Sequence, residues 1–213
     1  MTDESTGATL DRASARAWLD AFAADFEEHR QRLTELDRAA GDGDFGTNLR
    51  SALGKVQRRL AADPPTARAV FGAVSDAFLD TGGTSGPLFG MWFRALSRAL
   101  PESDPAGPGE LAAGVRAGTD TVQRLGGAEV GDKTMVDAMV PAAAALAGAA
   151  GGSLAAALTA AAEAAQSGAA STEDLVARRG RASYVGEVAR GVLDPGALTV
   201  GLFFAAGARA VAG

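Results

Sequence analysis

Apolar residues recur along this chain at helical spacing from near its start to its end. Trp18, Phe22, Phe26, His29, Leu33 and Leu36 follow one another at steps of three or four, which puts them on one face of a helix. That helix is expected from about Asp11 to about Ala39, stopping at Gly41, with His29 facing the core. A second opens near Thr47 and carries Leu49, Leu53, Val56 and Leu60 on one face. Asp63-Pro64-Pro65 closes it, because proline lacks a donor and clashes with the preceding turn. A third covers about Thr66 to Leu79, with Val70, Val74, Phe78 and Leu79 turned inward. A fourth covers about Pro87 to Leu100, with Leu88, Met91, Trp92, Ala95 and Leu96 as its apolar side. The Pro- and Gly-rich stretch 101–109 reads as a loop. A fifth helix reaches Leu125, others start near Lys133, Ser153 and Thr172, and a last one follows Pro195-Gly196 to about Ala210.

No segment alternates with period two and β-branched residues are sparse, so no sheet is expected. Eight or nine helices on short Gly-rich connections make an all-α bundle or barrel, read as one domain over residues 1–213. The Ala-rich run from Pro141 to Ala165 is broken by Gly148, Gly151 and Gly152 and is poor in Leu and Ile. It reads as two packed helices rather than a membrane span. The polar, acidic start Met1-Thr2-Asp3-Glu4-Ser5 does not resemble a signal peptide, and a cytoplasmic protein is expected.

Composition narrows the chemistry. There is no cysteine and one histidine, His29, so thiolate zinc sites, disulfides, Cys nucleophiles and multi-His metal sites are excluded. A formal charge of -6 argues against a nucleic-acid partner. Acidic clusters can instead hold cations, and cations hold phosphates.

Four glycine-rich segments carry unusual polar residues. In the first, Asp37-Arg38-Ala39-Ala40-Gly41-Asp42-Gly43-Asp44-Phe45-Gly46-Thr47-Asn48, three carboxylates crowd together. Their repulsion is relieved by a divalent cation, and Mg²⁺ typically takes one or two carboxylates plus phosphate oxygens and water. The helix that follows aims free N–H groups at any phosphate on that ion. Gly41-x-Gly43-x-x-Gly46 matches the dinucleotide pattern but follows a helix rather than a strand. Asp42-x-Asp44 opens like a calcium loop, yet Leu53 stands where its twelfth-position Glu belongs. The second segment, Gly82-Gly83-Thr84-Ser85-Gly86, offers a backbone cradle for phosphate or ribose. The third, from Gly126 to Met135, approaches the Walker A pattern but has Asp132 before Lys133 and no preceding strand. Thr134 and Met135 can line a pocket there, and Asp132 can cap the helix. The fourth is Gly180-Arg181-Ala182-Ser183-Tyr184 with Asp194-Pro195-Gly196, where Arg181 is a candidate phosphate contact.

Together, in this order, these segments resemble the DhaL family of dihydroxyacetone kinases over nearly the whole chain. The resemblance implies an eight-helix antiparallel barrel with ADP or ATP held at one end through two Mg²⁺ ions. It implies Asp37, Asp42 and Asp44 as metal ligands. It places Phe45, Gly46, Thr47, Asn48, Thr84, Ser85, Gly127, Met135, Arg181, Asp194, Pro195 and Gly196 around the nucleotide. It further implies a separate K-type subunit that binds the sugar through a histidine, and a phosphotransferase-system M subunit as one route for rephosphorylation. No catalytic base is expected on this chain. Two positions depart from the family pattern: Phe45 stands where histidine is usual, and Gly186-Glu187-Val188-Ala189 replaces a G-E-R-S run. Some relatives act on four-carbon sugars, so that substrate is the alternative. A nucleotide-binding regulatory module and an Mg²⁺-dependent hydrolase are the rival classes.

Overall fold

The computed structural model describes residues 9–212. They form eight α-helices: α1 (Arg12–Ala40), α2 (Phe45–Leu60), α3 (Ala67–Leu79), α4 (Ser85–Ala99), α5 (Pro108–Gly126), α6 (Val136–Gly148), α7 (Leu154–Ser171) and α8 (Pro195–Ala212). Two 3₁₀ turns, Arg181–Tyr184 and Gly186–Ala189, lie between α7 and α8. The β structure among the described residues is one isolated bridge, Leu10 with Ala106. Met1 to Ser5 lie outside the described residues.

Local chemistry sets the helix ends. Asp11 and Ser14 exchange side-chain and backbone hydrogen bonds at 2.8 and 2.9 Å, a capping box that starts α1. Thr66 and Ser153 accept the N–H of the residue three ahead and start α3 and α7. Pro108 opens α5, and Gly127, in the left-handed conformation, ends it.

Each helix packs on the next in sequence, and α8 returns to pack on α1, which closes the ring. Short connections make neighbours antiparallel. The interior is continuous, and its centre is aromatic: Trp18 stacks on Phe203 at 4.6 Å and meets Phe71 edge-on at 5.6 Å. The Trp18 indole N–H donates to the Phe203 carbonyl at 2.7 Å, so the polar end of a buried ring is satisfied. Among the described helices α8 alone is long and apolar enough to cross a membrane, with mean hydropathy 1.4. It lies against α1, α6 and α7, and 56% of that span is buried; a helix covered on most sides is apolar on most sides.

The expected pattern holds with three corrections. The helix expected near Thr172 is absent. Thr172 ends α7, and 172–194 is a loop with two 3₁₀ turns, because Gly180, Gly186 and Gly191 take positive φ and interrupt any longer helix. Helix starts shift: α2 and α4 begin two residues early, at Phe45 and Ser85, while α6 begins at Val136, three residues after Lys133. His29 is half-buried rather than in the core, its Nδ1 2.9 Å from the Asp25 carbonyl. The core stripe of α1 instead continues through Leu33 to Asp37 and Ala40, so a carboxylate occupies a buried position in its last turn.

Candidate functional site

Up-and-down connection has a geometric result at one end of the barrel. The odd helices finish there and the even helices begin there. A cavity of about 230 Å³ opens at that end, lined by Phe45, Ser85, Val136 and Pro195, the first residues of α2, α4, α6 and α8. Helix N-termini present unpaired N–H groups and the positive end of the helix dipole. Several directed at one cavity form a site for an anion.

The expected site residues divide. Asp37 and Asp42 line the cavity, as do Phe45 and Asn48 of α2, Ser85 of α4 with Thr84 just before it, and Met135. Arg181, Asp194, Pro195 and Gly196 line its other side. Asp44 is exposed at the start of α2 and does not line it. Neither do Gly46, Thr47 and Gly127. Gly46 has a packing reason: a Cβ there would lie 2.2 Å from Thr34 Oγ1 of α1, so glycine lets the two helices meet beside the site. Thr47 is exposed, and Gly127 serves as the left-handed C-cap of α5 while Gly126 reaches the cavity. Leu88, Val122, Ala128 and Val136, unremarkable in sequence, supply an apolar wall.

Asp37 is 8% exposed, and its Oδ2 accepts the Phe45 N–H at 2.9 Å. A Cβ on residue 41 would stand 2.3 Å from Asp37 Oδ1; the carboxylate has its room because that residue is glycine. Gly43 sits at φ 80, a conformation that lets the Asp42–Asp44 turn double back. The Asp42 carboxylate forms an ion pair with Arg181, which ties the 180–184 turn to the α1–α2 loop. Among the described residues no three Asp, Glu or His side chains are gathered into a metal-holding group. The donors present on this side are carboxylate oxygens, the chemistry a hard cation such as Mg²⁺ selects.

Across the cavity, burial pushes the Asp194 carboxyl up to about 7, with the Ala197 N–H pulling the other way and Asp137 adding to the rise. Its Oδ2 accepts that N–H at 2.7 Å and so caps α8. Two residues here stand outside the expected site set, although Lys133 lies within the third glycine-rich segment. Asp137, 2% exposed, accepts the N–H groups of Gly131 and Thr134 at 2.6 and 2.8 Å and so ties the 131–134 loop to the first turn of α6. Asp132, expected to cap that helix, instead accepts the Glu129 N–H at 2.9 Å, and α6 has no side-chain cap. Lys133 lines the cavity yet is 1% exposed, and burial lowers its ammonium pKa against the pull of Asp194 and Asp137. A buried lysine is rare enough to mark a site, but nothing local in Asp132-Lys133-Thr134 announces the burial.

Comparison with known proteins fits this geometry. The family described as DAK2 domain matches residues 39–209. The chain is 37% identical over 196 residues to the PEP-dependent dihydroxyacetone kinase ADP-binding subunit DhaL of Escherichia coli, covering 90% of this chain and 93% of that one. It is 38% identical over 194 residues to the L-erythrulose 1-kinase of Mycolicibacterium smegmatis, of whose length it spans 34%. The crystal structure of the C. freundii dihydroxyacetone kinase in complex with AMP-PNP and Mg²⁺ superposes with TM-score 0.68 at 26% identity, over 90% of this chain and 33% of that one. With most of its length matched by the family and by a full-length relative, the chain belongs to the DAK2 domain family, that of the DhaL subunits of dihydroxyacetone kinase.

Proposed function

We propose that this chain is a single helical domain that binds ADP or ATP with Mg²⁺ and passes the terminal phosphate to a short ketose held on a separate K-type subunit. The observation that carries the reading is the convergence of four helix N-termini on a cavity with carboxylates at one side and Arg181 beside them. The relatives' descriptions, an ADP-binding subunit and a complex with AMP-PNP and Mg²⁺, support it. The apolar wall suits a nucleobase, and the helix N-termini suit phosphates.

In this reading Asp37 and Asp42, with Asp44 beside them at the start of α2, would hold two Mg²⁺ ions, and Phe45, Asn48, Thr84, Ser85, Met135, Arg181, Asp194, Pro195 and Gly196 would surround the nucleotide, while Gly46, Thr47 and Gly127 shape the backbone just outside the cavity lining. Mg²⁺ supplies charge neutralisation on the phosphate oxygens. The chain's own task in phosphoryl transfer is positioning and electrostatics. Backbone N–H groups at the starts of α2 and α4 orient the phosphates. Arg181, released from Asp42, adds a donor. The acceptor hydroxyl comes from the partner, so no base is assigned here. Tyr184 and Val188, 89% and 74% exposed in the turns carrying Arg181, offer an apolar rim against which a partner can dock. Docking there suits a K-type subunit, and a phosphotransferase-system M subunit is the rephosphorylating partner in the carrier-fed version. The site of action is cytoplasmic.

One observation favours a second substrate. Phe45 lines the cavity where the family pattern has histidine, and an L-erythrulose 1-kinase is among the similar proteins. A four-carbon ketose is therefore the alternative acceptor. Titration calorimetry with ADP, with and without Mg²⁺, tests the binding reading; equal affinity in both sinks it. Phosphate release from ATP by the chain alone would favour the hydrolase reading instead.

A further inference from the structure

Lys133 belongs to no step of the mechanism above, and its surroundings set it apart. The residue takes a left-handed backbone, φ 62, just ahead of α6. Its side chain is buried, and Nζ donates to two carbonyls remote in sequence, Thr172 and, at 2.5 Å, Val192. Those carbonyls are the two ends of the loop between α7 and α8. The loop neck is stitched by its own bonds: the Gly191 N–H donates to the Glu173 carbonyl at 2.8 Å, and the Asp194 N–H to Thr172 Oγ1 at 2.9 Å. Beside Lys133, the Asp132 carbonyl accepts the Arg178 N–H at 3.1 Å. Residues 132 and 133 thus touch the loop at its start, at its middle and at its end.

The loop needs such a fastening. Few of its residues are buried, it holds two short 3₁₀ turns in place of a helix, and within it Ala177 and Ala189 are the buried apolar side chains. It nevertheless carries Arg181 at the cavity and leads into Asp194. An apolar side chain at 133 would take the donor from the Val192 carbonyl and leave the Thr172 carbonyl with the Leu175 N–H alone, at 3.3 Å, and buried carbonyls rarely go unpaired. An ammonium has three donors and can bridge them. Its charge also faces the C-terminal end of α7, where the helix dipole favours a cation.

We propose that Lys133 is a positioning residue for the nucleotide site: it pins both ends of the 172–194 loop and so holds Arg181 over the cavity. This rests on the nucleotide-binding reading for its functional half, while the loop-fastening half stands apart from it.

The test uses the full chain with Lys133→Met, which keeps the length and removes the donor. Hydrogen exchange without ligand reads the loop directly. Amides of 173–191 are expected to exchange at least tenfold faster, with trypsin cutting sooner at the exposed Arg178, Arg179 and Arg190, while α1 to α5 keep their protection. ADP with Mg²⁺ should then bind roughly tenfold or more weakly. The chain has no cysteine, so Lys133→Cys, aminoethylated with 2-bromoethylamine while unfolded and then refolded, restores an ammonium at that single position. It should recover both loop protection and affinity, and the unmodified Cys form should recover neither. Unchanged exchange in 173–191, or loss of protection spread evenly over all eight helices, would overturn the proposal. If wild type bound no ADP but the loop loosened on substitution, the nucleotide reading would fail and the fastening would stand.

Discussion

The carboxylate of Asp37, in the last turn of α1, accepts the backbone N–H of Phe45, the first residue of α2, at 2.9 Å. A buried acid thus joins the two helices whose junction carries the remaining aspartates. Asp37→Asn keeps an acceptor for that N–H but removes the charge. It should leave the fold within about 1 kcal/mol of wild type while abolishing Mg²⁺-dependent ADP binding. Asp37→Ala removes the acceptor too and should lose about 1–3 kcal/mol of stability. Urea unfolding and calorimetric titration of both variants separate these roles; strong ADP binding by Asp37→Asn would remove Asp37 from the ligand set.

Metal and nucleotide should stabilise the chain together rather than separately. A ligand bound only by the folded state contributes RT ln(1 + [L]/Kd), about 4 kcal/mol at a thousandfold excess. For a domain of this size that raises Tm by roughly 8–16 °C at ~2–4 °C per kcal/mol. Scanning fluorimetry with neither, either and both additions measures it. Small additive shifts would mean the aspartates do not link Mg²⁺ to phosphate.

Asp194 makes stability depend on pH in an unusual direction. Its folded value of about 7 lies above the 3.8 of the unfolded chain. Between those values the folded state holds the extra proton, so stability should fall as pH rises from ~4 to ~7 and then level off. Asp194→Asn keeps an acceptor for the Ala197 N–H and should flatten that stretch. Unfolding free energies of both proteins across the range provide the check, and identical slopes would refute it.

Gly207 tests the core away from the site. A Cβ there would stand 2.4 Å from Cε2 of Trp18, in a ring that Phe203 already holds in place. Gly207→Ala should therefore destabilise by about 1–3 kcal/mol, as overpacking does. Folded Gly207→Ala should still bind ADP with Mg²⁺ within about twofold of wild type, since 207 lies near the opposite end of α8. Denaturation and titration on one sample decide it.

Much of this was legible beforehand, for identifiable reasons. Trp18, Phe22, Phe26 and Leu33 mark one face of α1 by spacing alone, and all are buried. Asp42 and Arg181 each stand out by their glycine-rich surroundings, and the fold brings them into contact. What escaped depends on partners far along the chain. Lys133 is buried because carbonyls 39 and 59 residues away accept from it. The false helix after Thr172 arose from a mixed polar and apolar run whose glycines, at positive φ, outweigh its weak periodicity. His29 lies near the expected face but in a wide helix stripe its polar edge stays at the boundary.

The up-and-down order of the helices also fixes where another polypeptide could be joined. α1 reaches the cavity with its last turn and α8 with its first, so Arg12 and Ala212 both lie at the remote end. At 1.5 Å per residue that is roughly 40 Å away along α1 and about 25 Å along α8. A domain tethered before Arg12 or after Ala212 leaves the mouth clear for any visitor. It must also span the barrel's length before it can reach that mouth itself.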